Sequence, residues 1–326
     1  MPIPGLVDLQ VNGFNGVDFS GTDLTEEALV DAFRSILENG TTAFLPTLVT
    51  SPEAVYQRNL ALIAKVGRLP EFQGHIPGIH IEGPFLSPEP GAVGAHNPAW
   101  IREPDTELFD RFIDWSEDTI RLLTVAAERE GADDLIRHAV RRGITVSLGH
   151  QMAREDDIAR AVDAGATAVT HLGNGIPNMI HRHHNAIWAA LGNDDLAVML
   201  IADGFHLPPP VLKSMIRAKG AGRCVVVSDT APLAGMPPGT YEYCGEEVVL
   251  ENDGLLHNVR RNCLAGSTSS MIDCMNHLAS LDFLDLDDLL RVGYQNPLRL
   301  IGVDPGEIAA DRRIDYNREK RKFTLR

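Results

Sequence analysis

The chain has little of what marks a membrane, secreted or nucleic-acid-binding protein. Its 326 residues contain no run of about 20 apolar residues, so no membrane span is expected. The opening Met1-Pro2-Ile3-Pro4-Gly5 lacks a basic region followed by an apolar stretch, so no signal peptide is expected. Cysteine is scarce: Cys224, Cys244, Cys263 and Cys274 form no CxxC pair and read as buried small apolar residues in a reducing cytoplasm. Basic residues are outnumbered, 29 against 45 acidic ones. The formal charge of −16 argues against a nucleic-acid partner. An anionic substrate would need a local positive patch. No short repeat or low-complexity segment interrupts the chain, and its length suits one domain, since α/β barrels take about 250 residues.

What is present is a set of strand-like runs that stop at polar residues. Val225-Val226-Val227 leads straight into Ser228-Asp229-Thr230. That is the pattern of a buried parallel strand with a carboxylate at its C-terminal end. Ile79-His80-Ile81-Glu82, Thr145-Val146-Ser147-Leu148-Gly149-His150 and Ala168-Val169-Thr170-His171 likewise end on residues able to bind a metal. In a barrel of alternating strands and helices, this is the end that carries chemistry.

Strand-like runs fall at 5–13, 41–48, 75–82, 120–125, 144–149, 166–170, 196–202 and 223–229. Helical patterns run from the Thr25 cap to Asn39-Gly40, after Thr50-Ser51-Pro52-Glu53 (a cap, then proline in the first turn), and at 132–142, 156–164, 208–219, 269–281 and 286–293. The alternation predicts an α/β fold, a (β/α)8 TIM barrel over 1–303. Segments 83–104 and 174–185 read as long functional loops. The β-prone stretch around Glu251-Asn252-Asp253-Gly254 predicts a small β-hairpin inserted after strand eight, within 240–264. Residues 304–326 read as a short charged tail that forms a strand or frays.

Catalytic zinc takes three protein ligands plus water, from imidazole nitrogen and carboxylate oxygen. Glu82, His150 and His171 supply that set from three strand ends, and Asp229 faces it as acid and base. A lone strand-end His is more often a satisfied polar residue; recurrence at four strand ends carries the metal reading. Fe, Mn or Co would tolerate the same ligands. His80 lies two residues before Glu82, one layer deeper, as a core or ligand-supporting residue. Gln10 and Asn12 share the inner face at the end of strand one. Neutral amides are poor zinc ligands, so both read as supports. Val125-Ala126-Ala127 offers no Lys to bridge a second metal, which favours one metal per subunit.

Taken in order, Pro4-Gly5-Leu6-Val7-Asp8-Leu9-Gln10-Val11-Asn12-Gly13, His80-Ile81-Glu82-Gly83-Pro84-Phe85, Ala95-His96-Asn97-Pro98, Ser147-Leu148-Gly149-His150, Thr170-His171-Leu172, Ala202-Asp203-Gly204-Phe205-His206, Ser228-Asp229-Thr230 and Ala265-Gly266-Ser267 resemble the N-acetylglucosamine-6-phosphate deacetylases of the amidohydrolase superfamily. The resemblance implies zinc at Glu82, His150 and His171, and Asp229 as catalytic acid/base. Through Gln10 and Asn12 it points to the single-metal members. It further implies that His96 contacts sugar hydroxyls, that His206 contacts substrate near the phosphate, and that the amides of Asn174 and Gly175 hold the phosphate. Arg182 falls where the family's phosphate-binding Arg reaches in from the partner subunit of a dimer. The implied reaction converts N-acetylglucosamine 6-phosphate to glucosamine 6-phosphate and acetate.

Three departures stand out. The family's N-terminal segment, which builds a small β-sandwich with the C-terminus, is missing or vestigial here, through loss or a misplaced gene start. The Gly-Arg-Glu-Pro-Gly expected around the phosphate Arg reads His181-Arg182-His183-His184-Asn185, and Thr230-Ala231-Pro232-Leu233-Ala234-Gly235 matches loosely. The His181-to-His184 cluster is open to three readings: a cap on the substrate's anionic end, a solvated loop, or a surface metal site. The expectation is a cytoplasmic, metal-dependent deacetylase of an amino sugar phosphate. Its rivals are an amidohydrolase for an unphosphorylated or different N-acyl substrate, and a catalytically silent sugar-binding protein.

Overall fold

A computed structural model describes residues 2–326; Met1, at the head of the opening pentapeptide, lies outside the described residues. Eight runs form one parallel sheet: β1 (Leu6–Val11), β2 (Thr41–Val49), β3 (Ile79–Glu82), β4 (Ile120–Val125), β5 (Thr145–Leu148), β6 (Ala168–Val169), β7 (Ala197–Ile201) and β8 (Cys224–Val227), each paired with the next. They are rich in β-branched and aliphatic residues and almost wholly buried, as strands covered on both faces must be. The third is shorter than the sequence suggests. Pro77 has no N–H for a ladder, and His75 instead bonds the Thr42 carbonyl through Nδ1 at 2.6 Å.

The sheet curls until β8 meets β1. There Val11 bridges Thr230, the Asn12 amide donates to the Thr230 carbonyl at 2.8 Å, and the Asp8 carboxylate accepts from Ser228 N at 3.1 Å and Ser228 Oγ at 2.5 Å. The result is a nearly closed eight-stranded parallel barrel, consistent with a TIM barrel. Its interior is packed by Val7, Leu9, Leu45, Leu122, Met199, Val225 and Val227.

Helices α1 (Glu26–Glu38), α2 (Glu53–Gly67), α3 (Thr106–Trp115), α4 (Ala132–Arg141), α5 (Glu155–Ala164), α6 (Ala186–Gly192) and α7 (Pro209–Lys219) lie between the strands, and α8 (Met271–Ser280) follows β8. Thr25 caps α1 by accepting from Ala28 N. The start of α2 differs from expectation: Pro52 itself is the N-cap, and Ser51 Oγ turns back to the Val49 carbonyl. Helices α3 and α6 go beyond the sequence expectation. Asp105 and Asn185 cap them through side-chain oxygens, one at the edge of a proline-rich loop and the other at the end of a polar one. After α9 (Leu286–Leu290) and a π turn at Arg291–Gln295, α10 (Asn296–Leu300) closes the barrel floor, with Leu298 packed into the inner core.

Between β8 and α8 the chain forms a four-stranded antiparallel sheet: Gly239–Tyr243, Glu246–Leu250, Leu256–Asn258 and Cys263–Leu264. Tyr243, Val248, Leu250 and Leu256 bury its inner face against Ala231, Leu233 and Ala265. Strands Arg313–Asn317 and Lys322–Leu325 pair as a hairpin, onto which Pro2–Pro4 adds antiparallel. Among the described residues no helix is long and apolar enough to cross a membrane.

One irregularity positions the site. Val7 and Leu9 point into the apolar interior, yet Gln10 and Asn12 reach residues at the barrel mouth. A register shift between Asp8 and Val11 changes the strand's parity and makes both orientations possible.

Candidate functional site

Three side chains converge at the barrel mouth from different strands. Glu82 is the last residue of β3; His150 and His171 follow β5 and β6. His171 Nε2 lies 2.9 Å from Glu82 Oε1 and 3.1 Å from His150 Nε2, and His150 Nε2 is 3.4 Å from Glu82 Oε1. All three are buried, and their ligand atoms lie within 4.8 Å of one another. Backbone geometry aims them. His150, His171 and Asp229 take left-handed φ of +49°, +29° and +53°, an unfavourable conformation for non-glycine residues that clusters at functional sites.

The donor set fits a divalent cation. His150 Nδ1 bonds the Ala92 carbonyl at 2.8 Å, so that nitrogen carries the proton and Nε2 presents a lone pair to the cluster. Gln10 Nε2 donates to Glu82 Oε1 at 2.9 Å and orients the carboxylate. Among the described residues, Gln10 Oε1, Asn12 Oδ1 and His171 Nδ1 are buried without a hydrogen-bond partner, on three residues whose other polar atoms meet the cluster or Asp229. Burial alone would raise the Glu82 pKa, but its contacts with His150 and His171 outweigh it and hold the carboxyl well below its usual range. The same partnership raises the His171 pKa against the opposing effect of burial.

Space around His150 is tight. A Cβ on Gly94 would come within 2.9 Å of the ring's Cε1, and one on Gly175 within 2.8 Å of Nδ1. Both glycines also have positive φ, so loops on either side close onto the imidazole as only glycine allows.

Asp229 and its neighbours line a cavity of about 360 Å³ with Glu82, His150, His171, His96, Asn174, Gly175 and His206. Asn12 Nδ2 donates to Asp229 Oδ1 at 2.8 Å. Burial and then the Glu82 carboxylate raise the Asp229 pKa to about 6. His96 meets the cluster directly as well as lining the cavity. Its Nε2 lies 3.2 Å from His150 Nε2, and its Nδ1 accepts from Thr50 N at 3.4 Å. Burial pushes His96 down to about 3, so the neutral ring offers an Nε2–H.

Other candidate residues lie apart from the triad. His80 occupies a hydroxyl layer beneath it, 2.8 Å from Thr124 Oγ1 and 3.3 Å from Thr47 Oγ1. Two residues of strand separate it from Glu82, about 6.6 Å, and its ring nitrogens meet hydroxyls rather than the three ligands. The Asn174 amide donates to the His171 carbonyl at 2.9 Å and is already engaged. Arg182 is exposed and lines none of this cavity within its own chain. The His181-to-His184 cluster brings no metal-binding group of three together among the described residues.

The sequence reading missed two residues at the site. Asp203 accepts from His206 Nδ1 at 2.7 Å and from the amides of Phe205 and His206, fixing the imidazole at the cavity wall. The Asp-x-x-His spacing signals this local turn. Arg261, from the inserted sheet, lines the cavity and bonds the carbonyls of Gly94 and His96. No local pattern marks it, because only the sheet's register brings it there.

A profile of the Amidohydrolase family matches residues 1–316. The chain belongs to the amidohydrolase family. The N-acetylglucosamine-6-phosphate deacetylase of Bos taurus is 34% identical over 311 residues, covering 92% of this amidohydrolase and 74% of its own length. The N-acetylgalactosamine-6-phosphate deacetylase of Escherichia coli O157:H7 is 31% identical over 303 residues, covering 92% of this chain and 78% of its own. A solved structure of the N-acetyl-D-glucosamine-6-phosphate deacetylase from Mycobacterium smegmatis, in complex with N-acetyl-D-glucosamine-6-phosphate, superposes with a TM-score of 0.88 at 29% identity. It matches 99% of this chain and 84% of that one. Within the family, this chain therefore groups with the N-acetylglucosamine-6-phosphate deacetylases.

Proposed function

We propose that this amidohydrolase removes the N-acetyl group from N-acetylglucosamine 6-phosphate, giving glucosamine 6-phosphate and acetate. The carrying observation is the buried Glu82, His150 and His171 cluster facing Asp229 across one cavity. A divalent ion held by that cluster, zinc by its ligand chemistry with Fe, Mn or Co as substitutes, would acidify a water and polarise the acyl oxygen. Asp229 accepts the water's proton at its carboxylate and returns it to the leaving amine nitrogen as the C–N bond breaks. Asn12 holds that carboxylate in place through its 2.8 Å bond. His96 presents a neutral Nε2–H to a substrate oxygen once the His150 lone pair is engaged elsewhere.

At the other end of the substrate, Asp203 accepts from His206 Nδ1 and turns the other edge of the ring to the cavity, where the Nε2–H of a doubly protonated imidazole would donate to the anion. Of the paired loop amides, the phosphate role falls to Gly175. Arg182 completes the anion site from the partner subunit of a homodimer. It is exposed beside Met179 and Trp188, which are 89% and 57% exposed, a face suited to a second subunit. The chain divides into the barrel, 1–303, carrying the inserted sheet at 240–264, and the segment 304–326. Four free thiols fit a reducing cytoplasm.

The test is kcat/KM for N-acetylglucosamine 6-phosphate beside plain N-acetylglucosamine, on metal-loaded protein. A preference of about a hundredfold, roughly 2.7 kcal/mol of transition-state binding, is expected. Equal turnover of both sugars would remove the phosphate from the substrate. Stoichiometric binding with no turnover would leave a sugar-binding protein.

A further inference from the structure

The inserted sheet bears on the metal cluster through one residue. Arg261 Nη1 donates to the Gly94 carbonyl at 3.1 Å and the His96 carbonyl at 2.8 Å, and Nη2 donates to Glu246 Oε1 at 2.6 Å. Glu246 belongs to the neighbouring strand, and its other oxygen accepts from Asn258 Nδ2 at 2.6 Å. The Arg261 amide closes the ring on Asn258 Oδ1 at 2.9 Å. The guanidinium is thus held at one end by the sheet and at the other by two loop carbonyls. Its planar fork serves this geometry; an ammonium could not make all three bonds in one plane. The side chains of Arg261 and Glu246 are only 21% and 23% exposed, which limits solvent screening.

The loop it holds is the one that touches His150. The Ala92 carbonyl accepts a hydrogen bond from His150 Nδ1, Gly94 lies against the ring, and His96 meets His150 edge to face with centroids 4.3 Å apart. Residues 91–97 contain no α-helix or strand and rise from a glycine- and proline-rich stretch. The loop has backbone bonds of its own, Val93 N to the Glu89 carbonyl at 3.0 Å and His96 N to the Val93 carbonyl at 3.1 Å, and Arg261 adds the bonds that tie it to the inserted sheet.

We propose that Arg261, anchored by Glu246, is a positioning residue. It fastens the 91–97 loop to the inserted sheet and thereby fixes His150 and His96 relative to Glu82. The proposal rests on the metal reading given above. It makes the inserted sheet a working part of the site, because the ligand His150 takes its tautomer and ring plane from this loop.

The test titrates metal-free protein with zinc against a competing chelating indicator, for the wild type and for Arg261→Ala, Arg261→Lys and Glu246→Gln. Wild type binds one equivalent. Arg261→Ala keeps that stoichiometry while its zinc dissociation constant rises about tenfold. Arg261→Lys recovers part of the affinity, and Glu246→Gln falls between wild type and Arg261→Ala. With zinc saturating, Arg261→Ala lowers kcat more than it raises KM, because His96 is displaced as well. If Arg261→Ala does not fold, the lysine and glutamine variants carry the same comparison. An unchanged zinc affinity with only a lower melting temperature would make Arg261 a structural residue and overturn the clamp alone. Failure of the wild type to bind stoichiometric zinc would overturn the metal reading, and the clamp with it.

Discussion

At the scale of single residues, Asp229 is the sharpest test of the chemistry. Asp229→Asn keeps nearly the same shape and its bond to Asn12 but cannot carry a proton. It should retain its metal and lose about 10²–10⁴ of kcat, read from steady-state kinetics beside metal content. Near-normal turnover would end the acid/base assignment. Because the carboxylate must be ionised to take a proton, activity should rise with pH through an acidic limb. Burial and Glu82 raise Asp229 to about 6; a cation beside Glu82 opposes that rise, so the limb should fall at or below about 6. A limb above pH 7 would point to another base. Asp203 acts through His206. Burial would raise its pKa, but the hydrogen bond from His206 outweighs this and holds it at about 2. Asp203→Ala should therefore raise KM for the phosphorylated sugar by roughly tenfold, about 1.4 kcal/mol, with a smaller change for the plain sugar. An equal effect on both would show that His206 does not read the anion. Glu82, His150, His171 and Asp229 were legible because each ends a strand-like run. Asp203 was signalled only by its Asp-x-x-His spacing, and Arg261 by nothing local, because its role exists only through what it touches.

At the scale of elements, the eight strands could be read from runs of buried β-branched residues, and α1 from its Thr25 cap. Helices α3 and α6 escaped because the loops before them hide their caps, Asp105 and Asn185, among turn-forming residues. The parity change in β1 escaped because a bulge is a property of the pairing, not of one strand. That strand also carries a pH-sensitive seam. Burial raises Asp8 from 3.8 to about 7 where it joins β1 to Ser228. An acid whose folded pKa lies above its unfolded value binds more protons when folded. Its contribution is complete below the unfolded value of 3.8 and is lost as pH rises through about 7. A shift of this size corresponds to a few kcal/mol. Asp8→Asn mimics the protonated acid and cannot ionise. Its melting temperature, relative to wild type, should therefore be higher at pH 8 than at pH 5 by calorimetry. The same difference at both pH values would remove Asp8 from the account.

At the scale of the whole molecule, the proposed anion site draws on parts that one chain does not bring together. Its named parts on one chain are His206 and Gly175, while Arg182 is exposed and lines no part of its own cavity. The cavity wall carries the Glu82 and Asp229 carboxylates, and its own Arg261 is engaged by Glu246 and two loop carbonyls, so a guanidinium brought from outside has a clear electrostatic purpose. In the homodimer proposed here, each cavity would receive the partner subunit's Arg182, while exposed Met179 and Trp188 bury against the other copy. Mixing two crippled proteins separates this from a single-chain site. Asp229→Asn lacks the base but can lend its Arg182; Arg182→Ala lacks the arginine but keeps Asp229. After exchange of subunits, half of the dimers are hybrids, each with one intact site, so roughly a quarter of wild-type activity on the phosphorylated sugar should return. Trp188→Glu should sediment as a monomer and lose the preference for phosphate, while its turnover of the plain sugar changes little. If mixing restores nothing while both variants sediment as dimers, Arg182 does not cross the interface, and the phosphate is held by this chain alone.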